Sequence, residues 1–526
     1  MGQPKDVTPS PTQRIAFTPF GTVPLEETLQ LAVPPFVQAT NALRQLRYIQ
    51  GYAAELACKS LVIEPNYIDR DYMEDHSVFY SKSLYPYPNC CRRIHFFRED
   101  VARLREQLQR IVGVGIREGE DAYRQACRDF SERAYLGFSV IKPLSGSPVG
   151  RTVLRCYPEI PQNPADSSRR DFAGTRMYTV HLLGVELSVR GLAFQQQDIG
   201  VSACATTAVW SALQKMRDHE DISPVTPAQI TSLAAKFSLP FGRAMPSEGL
   251  SIDQMCQAVQ AVGVSPNVFR ADHTEDTRGY LYSALKSGLA PVLVLKKGNS
   301  YHAVTAVGMK IRIPHQASPV ALSTPLIDDV AGDLLALYVH DDRHGAYLRA
   351  DLADASGVPS LQLPVRHPTQ KTEAWTMTHV LVPIHSKIRL SLAVLRQLSL
   401  QLAATTHQTR EAIEKHLPGG FIQDPTISFE SWIVRAHRYV ESAFLDMQDL
   451  VPQRVSDLCE KVTMARYLGV VRLTASYFDP IDVLIDTTST EKNPHFLGLF
   501  TPRSSLPLTR VIGQRLARAA RCQLVC

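Results

Sequence analysis

Cys204 stands where a polar turn gives way to a helix, in the stretch FQQQDIGVSACATTAVWSAL, residues 194–213. A cysteine at a helix N-terminus faces unpaired amides and the positive end of the helix dipole. Both favour the thiolate, which is the nucleophilic form. A thiolate used in catalysis needs a base within hydrogen-bond reach and an acceptor that orients the base. His302 follows downstream, then Asp341, with Asp342 beside it as an alternative third member. Gln197, seven residues ahead of the cysteine (204 − 197), can offer its amide N–H to a developing oxyanion. The chemistry open to this set is attack on a carbonyl through a thioester. Water as acceptor gives hydrolysis of a peptide or isopeptide bond, and an amine gives acyl transfer.

These residues have to be brought together by the elements that carry them. The helix at Cys204 is followed by helical patterns in PVTPAQITSLAAKF, in GLSIDQMCQAVQAVG with Ser251 as cap, and in TRGYLYSALKSG. PVLVLKKGNSYHAVTAVGMK reads as a β-hairpin turning at Lys-Gly-Asn-Ser, with His302 at the head of its second strand. LLALYVHDDRHGAYLRA reads as a further strand ending in a polar turn at Asp341. Helices first and antiparallel strands afterwards is an α+β arrangement. Neighbouring antiparallel strands can set a His and an Asp side by side on one face.

The order Gln, helix-opening Cys, strand-borne His and Asp resembles that of papain-like cysteine peptidases. Over roughly residues 190–385, the segments GLSIDQMCQAVQAVG, YHAVTAVG and YVHDDRHG are most similar to the bacterial double-glycine leader peptidases and their relatives. The resemblance implies a papain-like central domain, with helices packed on an antiparallel sheet, and a cysteine peptidase acting on a protein or peptide. In that scheme Cys204 is the nucleophile, His302 the base and Asp341 its orienting partner. Gln197 and the Cys204 amide hold the oxyanion. No cofactor and no metal is implied. The leader peptidases' Asp-Cys-Gly turn stands here as Asp198-Ile199-Gly200, so the register that keeps the thiol is the papain-type one, with Cys204 opening the helix. An acyltransferase on the same fold and an inactive, peptidase-like interaction protein are the alternatives.

At 526 residues the chain exceeds one hydrophobic core. It reads as a flexible Pro/Thr/Gln-rich arm (1–25), an N-terminal α/β unit (26–185), the peptidase-like domain (186–386) and a C-terminal α+β unit (387–526). In the N-terminal unit RIHFF, AYLGFSVIKPL and RTVLRCYPE read as strands, and DVARLREQLQRIVGVGIREGEDAYRQACRDFSERA as two helices. In the C-terminal unit FESWIVRAHRYVESAFLDMQDLV reads as one helix. The tail sets Arg515, Arg518 and Arg521 on a solvated helical face.

Several function classes are set aside. A net charge of +5 over this length, without a long basic block, argues against nucleic acid. No apolar run suits a secretory signal or a membrane span, and ten cysteines without a CxxC pair suit a cytoplasmic protein with reduced thiols. His340 and His344 flank Asp341 and Asp342, but in a strand-and-turn context without a HExxH pattern, so metal hydrolysis is not expected. Asp69, Asp71, Glu74 and Asp75 lack calcium-loop spacing and read as a solvated surface. The tyrosines and phenylalanine from Tyr67 to Tyr87 read as core and interface, and GVGIREG follows a helix and so is no dinucleotide fingerprint.

Overall fold

Several strands, such as residues 135–141 and 334–341, are buried along nearly their whole length, and side-chain caps start some of the helices. The computed structural model describes residues 15–21, 24–25, 39–144, 146–161, 163, 166–198, 203–219, 222–235, 249–313, 326–355, 357–364, 371–416, 424–445, 452–491, 495–501 and 506–525. It is α+β, and the chain divides into two compact units, each assembled from separate segments. Unit one holds residues up to 157, 175–258 and 340–348; unit two holds 158–174, 259–339 and 349–526. Expected boundaries at 186 and 387 therefore do not coincide with the division. Composition changes along the chain cannot reveal a segment that leaves one core and returns to it.

Unit one is built on a five-stranded sheet in the order β1 (Ala16–Pro19), β2 (Ser60–Tyr67), β3 (Cys91–Phe97), β4 (Tyr135–Ile141) and β5 (Val149–Leu154). All its pairings are antiparallel, so the N-terminal region is α+β and not a βαβ type of α/β. β1 corrects the expectation of a flexible arm over residues 1–25. Ala16 pairs with Ile63 and Pro19 with Ser60, and the Arg105 guanidinium lies over the Phe17 ring. Backbone pairing and that contact order a segment whose composition alone reads as loose. Residues 1–14 lie outside the described residues.

Helices α1 (Ala39–Glu55), α2 (Arg70–Val78), α3 (Val101–Glu118) and α4 (Glu120–Ala134) belong to the same unit. α3 buries Leu104, Leu108 and Ile111, spaced for one helical face, and Asp100 caps it through the Arg103 amide. Gly119, with φ of 91°, breaks α3 from α4. The hairpin of β7 (Arg176–Leu182) and β8 (Val185–Gly191) turns at Leu183–Gly184. It is tied to α4 by the Ser188 amide on Ser131 and the Glu186 amide on the Tyr123 hydroxyl. α5 (Cys204–His219) and α6 (Pro227–Ala235) also belong to this unit, as does most of the helix Ile252–Ala261. α6 starts with a capping box: the Gln229 amide donates to Thr226 Oγ1 and the Thr226 amide to Gln229 Oε1.

Unit two holds a sheet whose order is β10 (Val292–Lys297), β11 (Ser300–Arg312), β13 (Leu334–Asp341), β14 (Gly345–Ala355), β15 (Val358–Pro364), β16 (Thr372–His385) and β9 (Val264–Arg270). β6 (Ser168–Asp171) extends the far half of β11. β10 pairs on one side with β11 and on the other with β16, so six strands close into a ring and cover the edges that open strands would expose. The predicted hairpin is present, with Lys297 opposite Ser300 across Gly298-Asn299, and Gly298 has φ of 57°.

The second sheet of this unit orders as β12 (Ile327–Asp329), β17 (Ile427–Arg435), β18 (Tyr467–Ala475), β19 (Phe478–Asp486), β20 (His495–Phe500) and β21 (Gln523–Val525). Its core gathers Trp432, Leu458, Leu468, Val470, Leu484 and Phe500. Arg472 grips Asp482 with two hydrogen bonds of 2.7 and 2.9 Å, and the Tyr439 hydroxyl donates to the same carboxylate. α8 (Thr274–Lys286) reaches β17 through Tyr282 and Lys286, both on Glu430 at 2.5 Å. The expected single helix from Phe429 onward is corrected here. Residues 427–435 form β17, paired along its length with β18, and helix α10 begins only at Ala436 and ends at Leu445. The alternation of Phe429, Ser431 and Ile433 is too short to stand out beside a helical run, and the ladder partners lie far along the chain (Phe429 opposite Leu473, 473 − 429 = 44). Basic residues Arg515 and Arg518 lie exposed on α12 (Pro507–Ala520), as expected of a solvated face.

Gly137 in β4 has φ of 122°, and a Cβ there would sit 2.1 Å from the Val153 carbonyl oxygen. Gly137→Ala is therefore expected to destabilise unit one by on the order of 3 kcal/mol or more. A lowered thermal midpoint, followed by circular dichroism, checks it; an unchanged midpoint would contradict the register of β4 on β5.

Candidate active-site segment of unit one

The helix that Cys204 opens is buried almost all round. Ala205, Thr206, Val209, Trp210, Leu213 and Met216 are in the core of unit one, whereas Cys204 itself is half-buried. The first turn is tied by the Thr207 hydroxyl on the Ala203 carbonyl at 3.2 Å. In the middle of the helix the Ser211 hydroxyl donates to the Ala193 carbonyl at 2.5 Å and lies 3.2 Å from His340 Nδ1. His340 is enclosed edge-on by Phe194 and Tyr347, and burial pushes its pKa down to about 3, so it packs as a neutral ring. Residues 199–202, including Ile199 and Gly200 of the Asp-Ile-Gly turn, lie outside the described residues.

The run leading to that turn is pinned from both ends. Phe194 exchanges two backbone hydrogen bonds with Thr152 of β5, and the Gln196 amide donates to the Val149 carbonyl. The Gln196 side chain accepts from the Val149 amide of β5 and donates to the Gly146 carbonyl in the turn before it. Asp198 is held by the Tyr80 hydroxyl on one carboxylate oxygen and by Lys142 Nζ at 3.4 Å from the other. Gln195, Gln196 and Asp198 are 4, 6 and 4% exposed; Gln197, between them, is half-buried. Of the three glutamines, Gln197 is the one that is not buried.

Asp341 ends β13 and is fully buried. Its Oδ1 accepts the Arg343 amide at 2.9 Å, and its Oδ2 lies 2.9 Å from His344 Nδ1. The turn is gripped by α1, whose Gln45 amide donates to the carbonyls of Asp342 and Arg343, with the Tyr48 hydroxyl on Ala346. Asp342 is buried as well. His302 is buried on β11, opposite Leu295 of β10, and packs beside the Trp375 ring. β11 and β13, which carry His302 and Asp341, are neighbours in one sheet. Cys204, Gln197, Asp341 and Asp342 belong to unit one and His302 to unit two. His302, Asp341 and Asp342 are also residue types that can hold a divalent cation.

The acidic stretch is not a solvated surface, contrary to expectation. Asp69, Asp71 and Asp75 are all buried in unit one. Asp69 caps α2 through the Asp71 and Tyr72 amides and pairs with Arg151 at 2.6 Å. Tyr72, Tyr80, Tyr87 and Tyr85 contact one another in that order, ring on ring, alongside. With Asp198, this region buries four carboxylates; Lys142 and Arg151 pair with Asp198 and Asp69, and Arg70 and Arg217 also act on Asp71. Burial pushes Asp71 to about 6, against Arg151, Arg70 and Arg217, and Asp75 to about 8, with Asp198, Asp71 and Asp69 adding repulsion at Asp75 and Lys142 opposing it. Asp75 Oδ1 has no hydrogen-bond partner among the described residues. Sequence reasoning missed Tyr80, Lys142 and this burial. The one local signal was a lysine ending the apolar run YLGFSVI.

Five of the other thiols are poorly suited to attack. Burial pushes Cys58 and Cys156 to about 12 and Cys522 to about 11, and raises Cys91 and Cys256. No helix among the described residues is long and apolar enough to cross a membrane. No protein-family model matches the chain, and no curated protein matches it significantly.

Asp75 binds its proton more tightly folded, near 8, than unfolded, near 4. Its stabilising contribution is complete below about pH 4 and is lost as pH rises through about 8. Asp75→Asn should flatten that loss and gain on the order of 1–3 kcal/mol over wild type at pH 8.5, while matching it near pH 4.5. Denaturant unfolding at the two pH values checks this; a parallel offset at both would refute a protonated Asp75.

Proposed function

We propose that the chain is a papain-like, cysteine-dependent hydrolase acting on a peptide or isopeptide bond of a protein or peptide substrate. One observation carries the reading: the cysteine, half-buried, opens a buried helix, while the histidine and aspartate of the set sit on neighbouring strands of a closed sheet. In this reading Cys204 Sγ attacks the carbonyl carbon, and the carbonyl oxygen takes the negative charge beside Gln197 and the Cys204 amide. His302, having accepted the thiol proton, passes it to the departing amine, and Asp341 orients the imidazole. A water then cleaves the thioester, returning the thiol and releasing the acid.

Supporting the assignment of the nucleophile, the thiols of Cys58, Cys91, Cys156, Cys256 and Cys522 are held protonated by burial. Labelling by a thiol-directed acylating probe should be abolished in Cys204→Ala and reduced on the order of a hundredfold or more in His302→Ala. It should be indifferent to a chelator. Persistent labelling of Cys204→Ala would move reactivity to another cysteine. A hydrolytic activity that survives Cys204→Ala but disappears on chelation would instead assign His302, Asp341 and Asp342 to a metal.

A further inference from the structure

The segment from Gln195 to Asp198 is fastened more heavily than a connecting loop requires. Its first half is zipped onto β5 by main-chain bonds and by the Gln196 side chain. Its last residue, Asp198, enters the protein interior and takes two partners from different parts of unit one: the Tyr80 hydroxyl, from the turn after α2, and Lys142, directly after β4. Lys142 and Asp198 are 3 and 5% exposed at their side chains. Burying such a pair is costly and is often no more stable than apolar packing, so retaining one is weak evidence for stability and better evidence for fixing a conformation. What it fixes is adjacent: Gln197, the one half-exposed residue between two pinned neighbours.

We infer that Asp198, Tyr80 and Lys142 are positioning residues that hold Gln197 where its amide can meet an oxyanion. The inference rests on the cysteine-hydrolase reading and adds three residues to it. Neither Tyr80 nor Lys142 touches the reacting atoms; both act through the backbone of Asp198. An oxyanion donor is effective only if it is held in place before charge develops, because reorganising it during the reaction forfeits the gain. A displacement of about 1 Å in a positioning element can cost up to a hundredfold in rate.

Two reactions of the same thiol separate positioning from general structure. With p-nitrophenyl acetate, Cys204 Sγ bonds to the acetyl carbon, the carbonyl oxygen passes through an anionic tetrahedral state, and p-nitrophenolate leaves. With iodoacetamide, the sulfur displaces iodide at a saturated carbon and no oxyanion forms. Tyr80→Phe keeps the ring and removes the hydroxyl that grips Asp198; Asp198→Asn keeps an acceptor for Tyr80 and removes the charge facing Lys142. Both variants of the full chain should lose on the order of tenfold in acetylation rate, with alkylation within about twofold of wild type. Gln197→Ala should reproduce the selective loss. Equal slowing of both reactions, or slowing of neither, overturns the positioning role. Acetylation and alkylation that continue in Cys204→Ala overturn the cysteine reading itself, a separate result. Circular dichroism on each variant registers misfolding, and Lys142→Met, which fills the same volume without charge, must give the same selective loss if the other two variants fail to fold.

Discussion

A carboxylate buried beside a lysine and a tyrosine holds the approach to the helix of Cys204. Asp198 cannot be left in the interior unpaired, because an isolated buried charge costs several kcal/mol, so Tyr80 and Lys142 have to be brought to it. That requirement couples three stretches far apart in the chain: the turn after α2, the end of β4 and the run before α5. The backbone bonds of Phe194 and Gln196 to β5 then make the same run part of the five-stranded sheet's periphery. The half-buried Gln197 stands between two neighbours that are almost fully buried.

The same interior carries a cluster of carboxylates. Four aspartates lie near Lys142 and Arg151, with Arg70 and Arg217 also acting on Asp71, and burial raises Asp71 and Asp75. Asp69 is satisfied as a helix cap and ion-pair partner, Asp198 by its tyrosine and lysine, and Asp75 by remaining protonated. Buried polar groups elsewhere in unit one follow a different course: His340 is kept neutral by enclosure between aromatic rings, and Gln45 spends its amide on the carbonyls of the turn after β13.

In unit two the governing constraint is the edge of the sheet. β10 has partners on both sides, which closes the ring and leaves β9 and β6 as additions outside it. His302 lies on β11, the neighbour of β10 in that ring, and Asp341 ends the strand that follows β11 in the order. The second sheet has its own polar anchor in Arg472, Asp482 and Tyr439.

Local chemistry was legible in the residues. The Gly298-Asn299 hairpin, the helix in PVTPAQITSLAAKF, the two helices between residues 100 and 134 and the helix opening at Cys204 all rest on φ/ψ preference, cap bonding or short-range periodicity, and these act over a few residues. The long-range placements were not legible. That Ala16–Pro19 is a strand, that residues 427–435 are a strand and not a helix, and that residues 340–348 return to unit one follow from partners dozens to hundreds of residues away. The burial of Asp69, Asp71 and Asp75 likewise exists only once Arg151, Lys142 and Tyr80 surround them. Sequence alone fixed which groups are available and how each short segment bends. Tertiary structure decided which charges lose their water, since desolvation belongs to the assembled interior and to no single stretch of chain.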